Sequence, residues 1–167
     1  MTEENVKATA TVNAPVDVVF DVLADPSTHQ SIDGTGWVGE SLDGTPLTEQ
    51  GQIFRMAMYH ENHPEKHYEM SNRIEVFDRP RAIAWQPGQG PDDRGNLIRN
   101  PELEFGGWIW RYDLEAAGEG RTAVTLTYDW SAVPQQTRDE IGGFPPFDSS
   151  HLENSLKHLA ALAEERA

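Results

Sequence analysis

The stretch YHENHPEKHYEM, residues 59–70, gathers three of the chain's six histidines, His60, His63 and His67, with Glu61 and Glu65 among them. Imidazoles and carboxylates at such spacing could hold a metal ion or move protons. A metal needs three or four ligands converging on one point. Strand alternation works against that convergence here. If Met56 and Met58 face one side, His60 joins them, His67 turns to the other side and His63 falls at a turn. No metal site is expected, and no cofactor. The candidates left for proton chemistry are His60, Tyr68 and Tyr112, since a His–Tyr pair can move a proton or polarise a carbonyl. The alternative is that these groups orient a ligand or satisfy each other's hydrogen bonds. No oriented base and nucleophile pair is visible, which favours the alternative.

For these residues to meet, strands must position them. Residues 51–60 and 66–79 read as a long antiparallel pair. The even positions, Phe54, Met56, Met58 and His60 with Tyr68, Met70, Asn72, Ile74 and Val76, face inward. The expected register sets Met58 opposite Met70, Phe54 opposite Ile74, His60 opposite Tyr68 and Glu61 opposite His67, with the turn at His63-Pro64-Glu65. Residues 104–117 and 121–130 form a second long pair around the glycine-containing loop AAGEGRT. There Trp108, Trp110, Tyr112 and Leu114 share one face, and Val124, Leu126, Tyr128 and Trp130 face in. Trp85 lies in RAIAWQP, which is apolar on both sides, so alternation does not fix its direction. The inward set is methionine and aromatic, with a few neutral polar groups and no Asp or Glu. Such a lining suits a small-molecule pocket, with Met adapting to ligand shape. It suits a filled core equally well.

The remaining elements frame this wall. Residues 6–12 alternate as a first strand. A helix over 14–24 comes next, with Asn13 as its cap and Pro15 in its first turn. A second short helix runs to about Ile32, and WVGESLD is a short strand. Ser150 and Glu153 have the form of a capping box for a long C-terminal helix. Its inner face carries Leu152, Leu156, Leu159 and Ala163, with Ser155 at the edge. His29, His151 and His158 are expected at the surface, His158 nearest the inner face. The Pro-, Gly- and Asp-rich segment 87–101 is long for a connection, and is either mobile or a lid. Phe144 and Phe147 could lie near a pocket mouth.

Composition narrows the partners. The chain has 167 residues, suiting a single domain over 1–167, and no cysteine, which removes disulfides and thiolate chemistry. Thirteen basic residues stand against 28 acidic ones, a net charge of −15, so neither nucleic acid nor an anionic membrane surface is an expected partner. No segment has the roughly 20 apolar residues of a membrane span, and MTEENVKAT lacks signal-peptide character. A cytoplasmic location without integral membrane contact is expected. A homodimer is compatible with the sequence and not required by it.

The segments ATATVNAPVDVVFDVLADPSTHQSIDGTGWV, RIEVFDRPRAIAWQP, GWIWRYDLEAAGEGRTAVTLTYDW and LENSLKHLAALAEE, in this order, resemble the START-like or SRPBCC superfamily, in particular its polyketide cyclase/dehydrase-type proteins. The resemblance covers nearly the whole chain. It implies an α+β helix-grip fold: a curved antiparallel sheet of about seven strands wrapped around a long C-terminal helix, with two short helices after the first strand. It implies a cavity between sheet and helix for a hydrophobic or aromatic small molecule, lipid- or polyketide-like. Combined with strand alternation, the expected lining is Met56, Met58, His60, Tyr68, Met70, Asn72, Trp85, Trp108, Trp110, Tyr112, Tyr128, Trp130, Leu152, Ser155, Leu156 and Leu159. Two other functions fit the same fold: a cyclase or dehydratase acting in that cavity, and a protein-interaction or chaperone-cofactor module with the cavity collapsed. The motifs mark fold more strongly than activity.

Overall fold

The computed structural model describes residues 5–32, 38–41, 46–59, 67–89, 104–105, 107–133, 135, 139 and 150–166; at 38–40, 58–59, 67–70, 88–89 and 104–105 it describes the backbone alone. In chain order the elements are β1 (Asn5–Val12), α1 (Val16–Leu23), a 3-10 turn (Pro26–Thr28), α2 (His29–Ile32), β2 (Val38–Ser41), β3 (Ile53–Tyr59), β4 (His67–Asp78), β5 (Ala82–Gln89), β6 (Glu104–Phe105), β7 (Ile109–Gly118), β8 (Arg121–Asp129) and α3 (Ser150–Arg166). The strands form one antiparallel sheet in the order β1-β8-β7-β5-β4-β3-β2, with β6 beside β5. The sheet curves around α3 in the helix-grip arrangement.

Cross-strand register lines up the inner side chains in rows. Ile74, Trp85, Trp110, Tyr128 and Val6 are successive partners across β4, β5, β7, β8 and β1. The next row is Phe77, Ile83, Tyr112, Leu126 and Ala8. Strict alternation of buried and half-buried residues along β8 shows the pleat directly. Onto these rows α3 lays Leu152, Leu156, Leu159 and Ala163, all at most 2% exposed. Each such leucine contributes roughly 1.5–3 kcal/mol of hydrophobic stabilisation. Helix α1 adds Val19, Phe20, Val22 and Leu23. Phe20 meets Phe77 edge-on at 5.3 Å, and the Arg79 guanidinium lies 4.6 Å over the Phe20 ring. Two internal bonds tie elements together: the Thr122 hydroxyl donates to the Ala14 carbonyl at 2.7 Å, and the Asn13 N–H donates to Glu164 Oε2 at 3.1 Å.

Several local expectations need correction. Pro15, extended at φ −63°, ψ 154°, occupies the N-cap of α1, and no side chain caps it there. The β3–β4 register lies two residues from the expected one: Phe54 faces Asn72, Met56 faces Met70, and Met58 faces Tyr68. A two-residue slip keeps every side chain on its predicted face, so alternation cannot detect it. What sets it is the open end of the hairpin, where the Gly51 N–H donates to the Ile74 carbonyl and the Ile74 N–H to that of Gln52. A bulge between Ile74 and Val76 then reverses the phase of β4. Phe77, rather than the expected Val76, packs against the core.

The predicted strand 104–117 is broken at Gly107, giving eight strands instead of seven. Gly107 has φ +101°, and a Cβ there would lie 2.6 Å from the Ala132 carbonyl oxygen. The backbone of 131–133 passes where a side chain would be. Gly51, at φ +89°, has open space around its missing Cβ. Gly51→Ala should therefore cost only the backbone conformation, about 1 kcal/mol. Gly107→Ala should cost roughly twice that or more, because it adds a clash with backbone. Chemical denaturation of the two variants measures the difference; equal losses would contradict the close approach.

Candidate functional site

The candidate site is the inner face where the Trp85–Trp110 row meets α2 and α3. Register sets the two indoles side by side on adjacent strands. Each carries a histidine from a different helix. The His29 ring stacks on Trp85 at 4.8 Å and 21°, and meets Phe54 edge-on at 5.4 Å. The His151 ring meets Trp110 edge-on at 5.3 Å and 90°. Phe54 and Tyr112 flank Trp85 at 5.9 and 5.8 Å; Tyr128 lies 4.5 Å from Trp110 and 5.9 Å from Trp130. These separations lie within the range of favourable ring pairing.

His29 and His151 are 7% and 6% exposed, which corrects their expected surface positions. The signal for His151 was present: it stands four residues before Ser155 and eight before Leu159, on the helix face that is buried. Helix α2 has four residues, too few for a periodic pattern, so His29 had no such signal. Local hydrogen bonds turn it inward. The Thr28 hydroxyl lies 2.6 Å from the Val22 carbonyl and 2.8 Å from that of Asp25, and the Asp25 carboxylate accepts from the Ser27 N–H. His29 Nε2 donates to the Leu23 carbonyl at 2.9 Å. His158 stays exposed, but its Nδ1 donates to the Ile32 carbonyl at 3.1 Å and so ties α3 to α2.

Of the predicted lining residues, Met56, Asn72, Tyr112, Tyr128, Trp130, Leu152, Ser155, Leu156 and Leu159 are buried. Trp85 and Trp110 are partly buried and pack on the main core. Trp108 precedes β7 and packs with Tyr128, Trp130 and Val133 in a smaller cluster. Met58, Tyr68 and Met70 are described by backbone alone, within β3 and β4. His60, Glu61, His63, Phe144, Phe147 and segment 90–101 lie outside the described residues. Among the described residues, the buried polar side chains are Thr28, His29, Ser71, Asn72, Thr122, His151 and Ser155, and none is Asp, Glu, Lys or Arg. No three His, Asp or Glu side chains among them converge as metal ligands would. No helix there is long and apolar enough to cross a membrane.

Burial sets the protonation of the face. It raises the Tyr128 phenol well above its usual range, so the hydroxyl stays protonated. It lowers His29 below its ordinary 6.5, outweighing the Leu23 carbonyl and the Asp25 charge, which both act the other way. As pH falls, the unfolded chain then binds the His29 proton first. The stabilising contribution is complete above about pH 6.5 and is lost as pH drops below it toward the folded value. Wild type should lose more stability than His29→Phe between about pH 7.5 and about pH 5.5. Denaturation midpoints of both proteins at the two pH values test this, and parallel losses would contradict it.

No family model matches the chain. The uncharacterized protein Rv0088 of Mycobacterium tuberculosis is 23% identical over 153 residues, 89% of this chain and 59% of its own length. The chain thus spans less than two thirds of that relative. Among solved structures, protein NE0264 of Nitrosomonas europaea matches with a TM-score of 0.66 at 15% identity, over 99% of this chain and 97% of that one. The Zhui aromatase/cyclase of Streptomyces sp. R1128 matches with a TM-score of 0.57 at 17% identity, over 97% and 94%. At these identities the likeness is one of fold. The chain shares their helix-grip fold.

Proposed function

We propose that the chain, acting as one domain, binds a hydrophobic or aromatic small molecule between the sheet and α3. The observation that carries this reading is the unequal closure of the inner face. In one row Ile83, Tyr112 and Leu126 are at most 4% exposed. One row away, Ile74 and Tyr128 are buried, while Trp85 and Trp110 between them face the same side and are only half-buried. Large apolar rings left partly uncovered on a concave face offer contact area to a ligand. The polar groups around them are neutral and few, as orientation of an uncharged guest requires. A buried charge on either side would carry a desolvation cost with nothing to offset it. The likeness to an aromatase/cyclase supports the fold of such a site and leaves the ligand open. His60 and Tyr68, the acid–base candidates, have no described side chains, so the reading rests on binding.

The direct test is native mass spectrometry of protein purified from its own source, in which a retained small molecule gives the ligand class. An environment-sensitive apolar dye gives a second test. Wild type should bind it with a fluorescence increase, and Tyr112→Trp, which adds ring volume beside Trp85, should weaken uptake about tenfold or more. Circular dichroism should show the variant folded. Unchanged uptake by that folded variant, or no uptake by wild type, would refute the site.

A further inference from the structure

Two polar side chains on the inner face carry hydrogen-bonding capacity that the fold does not use. Asn72 is 6% exposed, and its amide forms no hydrogen bond among the described residues. Its neighbours on that face are apolar: Phe54 and Pro87 across the strands, Ile74 along its own. A leucine there would pack as well and carry no desolvation cost. His29 is the second group. Its Nε2 faces a carbonyl oxygen, which can only accept, so Nε2 carries the hydrogen. In the neutral ring that burial favours, Nδ1 is left with a lone pair as an acceptor. That nitrogen likewise forms no hydrogen bond among the described residues. Phe54 joins the two groups, as the cross-strand partner of Asn72 and the edge-on neighbour of His29.

Resting on the binding function proposed above, we infer that His29 and Asn72, with Trp85 and Phe54, form a subsite that selects an uncharged aromatic ring bearing a hydroxyl group. The chemistry comes from what each group offers. An amide N–H of Asn72 donates and His29 Nδ1 accepts, so a guest group that both accepts and donates complements the pair. A hydroxyl does both. A ketone or ether oxygen only accepts and leaves Nδ1 unpaired. A carboxylate only accepts and brings a charge that no buried Lys or Arg among the described residues offsets. The rings of Trp85 and Phe54 favour a flat guest over a flexible acyl chain. A site built to pair a hydroxyl discriminates strongly against analogues lacking it, because its own polar groups are then stranded.

Calorimetric titration with naphthol, methoxynaphthalene, naphthalene and naphthoic acid at neutral pH tests the assignment. Wild type should bind naphthol about tenfold more tightly than methoxynaphthalene, and naphthoic acid most weakly. His29→Phe and Asn72→Leu should each remove most of the preference for naphthol over naphthalene. Either variant alone suffices if the other fails to fold, and the wild-type preference needs neither. Naphthalene binding without a preference for naphthol overturns the subsite and leaves the apolar site standing. A preference that survives in the folded variants, or tightest binding of naphthoic acid, also overturns it. Failure of all four compounds to bind refutes the binding function itself.

Discussion

Register across five strands is the constraint on which the rest depends. Ile74, Trp85, Trp110, Tyr128 and Val6 can share a row only if β4, β5, β7, β8 and β1 pair in one phase. A one-residue slip of β5 or β7 would send an indole to the solvent face and strand a histidine opposite a gap. The devices that prevent a slip lie away from the row. Gly118 and Gly120, both at positive φ, close the β7–β8 hairpin, and the Thr122 hydroxyl fixes β8 against the end of β1.

The same rows separate the closed core from the candidate site. Toward α1 the inner face is sealed by Phe20, Ile83, Leu114 and Val124, which only fill space. Toward α2 the side chains become larger and more polar, and Trp85 and Trp110 are only half-buried. The outer face differs from both. It carries matched charges, Arg73 with Glu75 and Arg111 with Asp113, each partly exposed. Such pairs contribute little to stability. They keep the convex side polar and leave the apolar contacts to the concave one.

Strict periodicity made part of this structure legible in the sequence. The inward faces of β7 and β8 could be read because β8 alternates without interruption from Thr122 to Trp130, and the face of α3 because its leucines recur at helical spacing. Three kinds of feature were not legible. Even-numbered register shifts leave the pattern unchanged, so the Phe54–Asn72 pairing was open to error. Added residues do change it, but locally: the bulge after Ile74 exchanges Val76 for Phe77 with no change in composition. Residue type misled as well. Histidine is ordinarily half exposed, so His29 and His151 read as surface until a stacked indole and an edge-on indole accounted for their burial. The candidate site lies where these three difficulties meet.

Helix α2 has four residues, far short of the length at which a helix holds itself together. Its order is borrowed from neighbours: from the end of α1 through Thr28 and His29, and from α3 through His158 and the Ile32 carbonyl. The element carrying His29 therefore has little local stability of its own to spend. Detachment of α3 removes the His158 support of α2 and leaves the bonds from α1 and the Trp85 stack to hold His29. The local stability of the His29 side of the candidate site is thus coupled to that of the C-terminal helix.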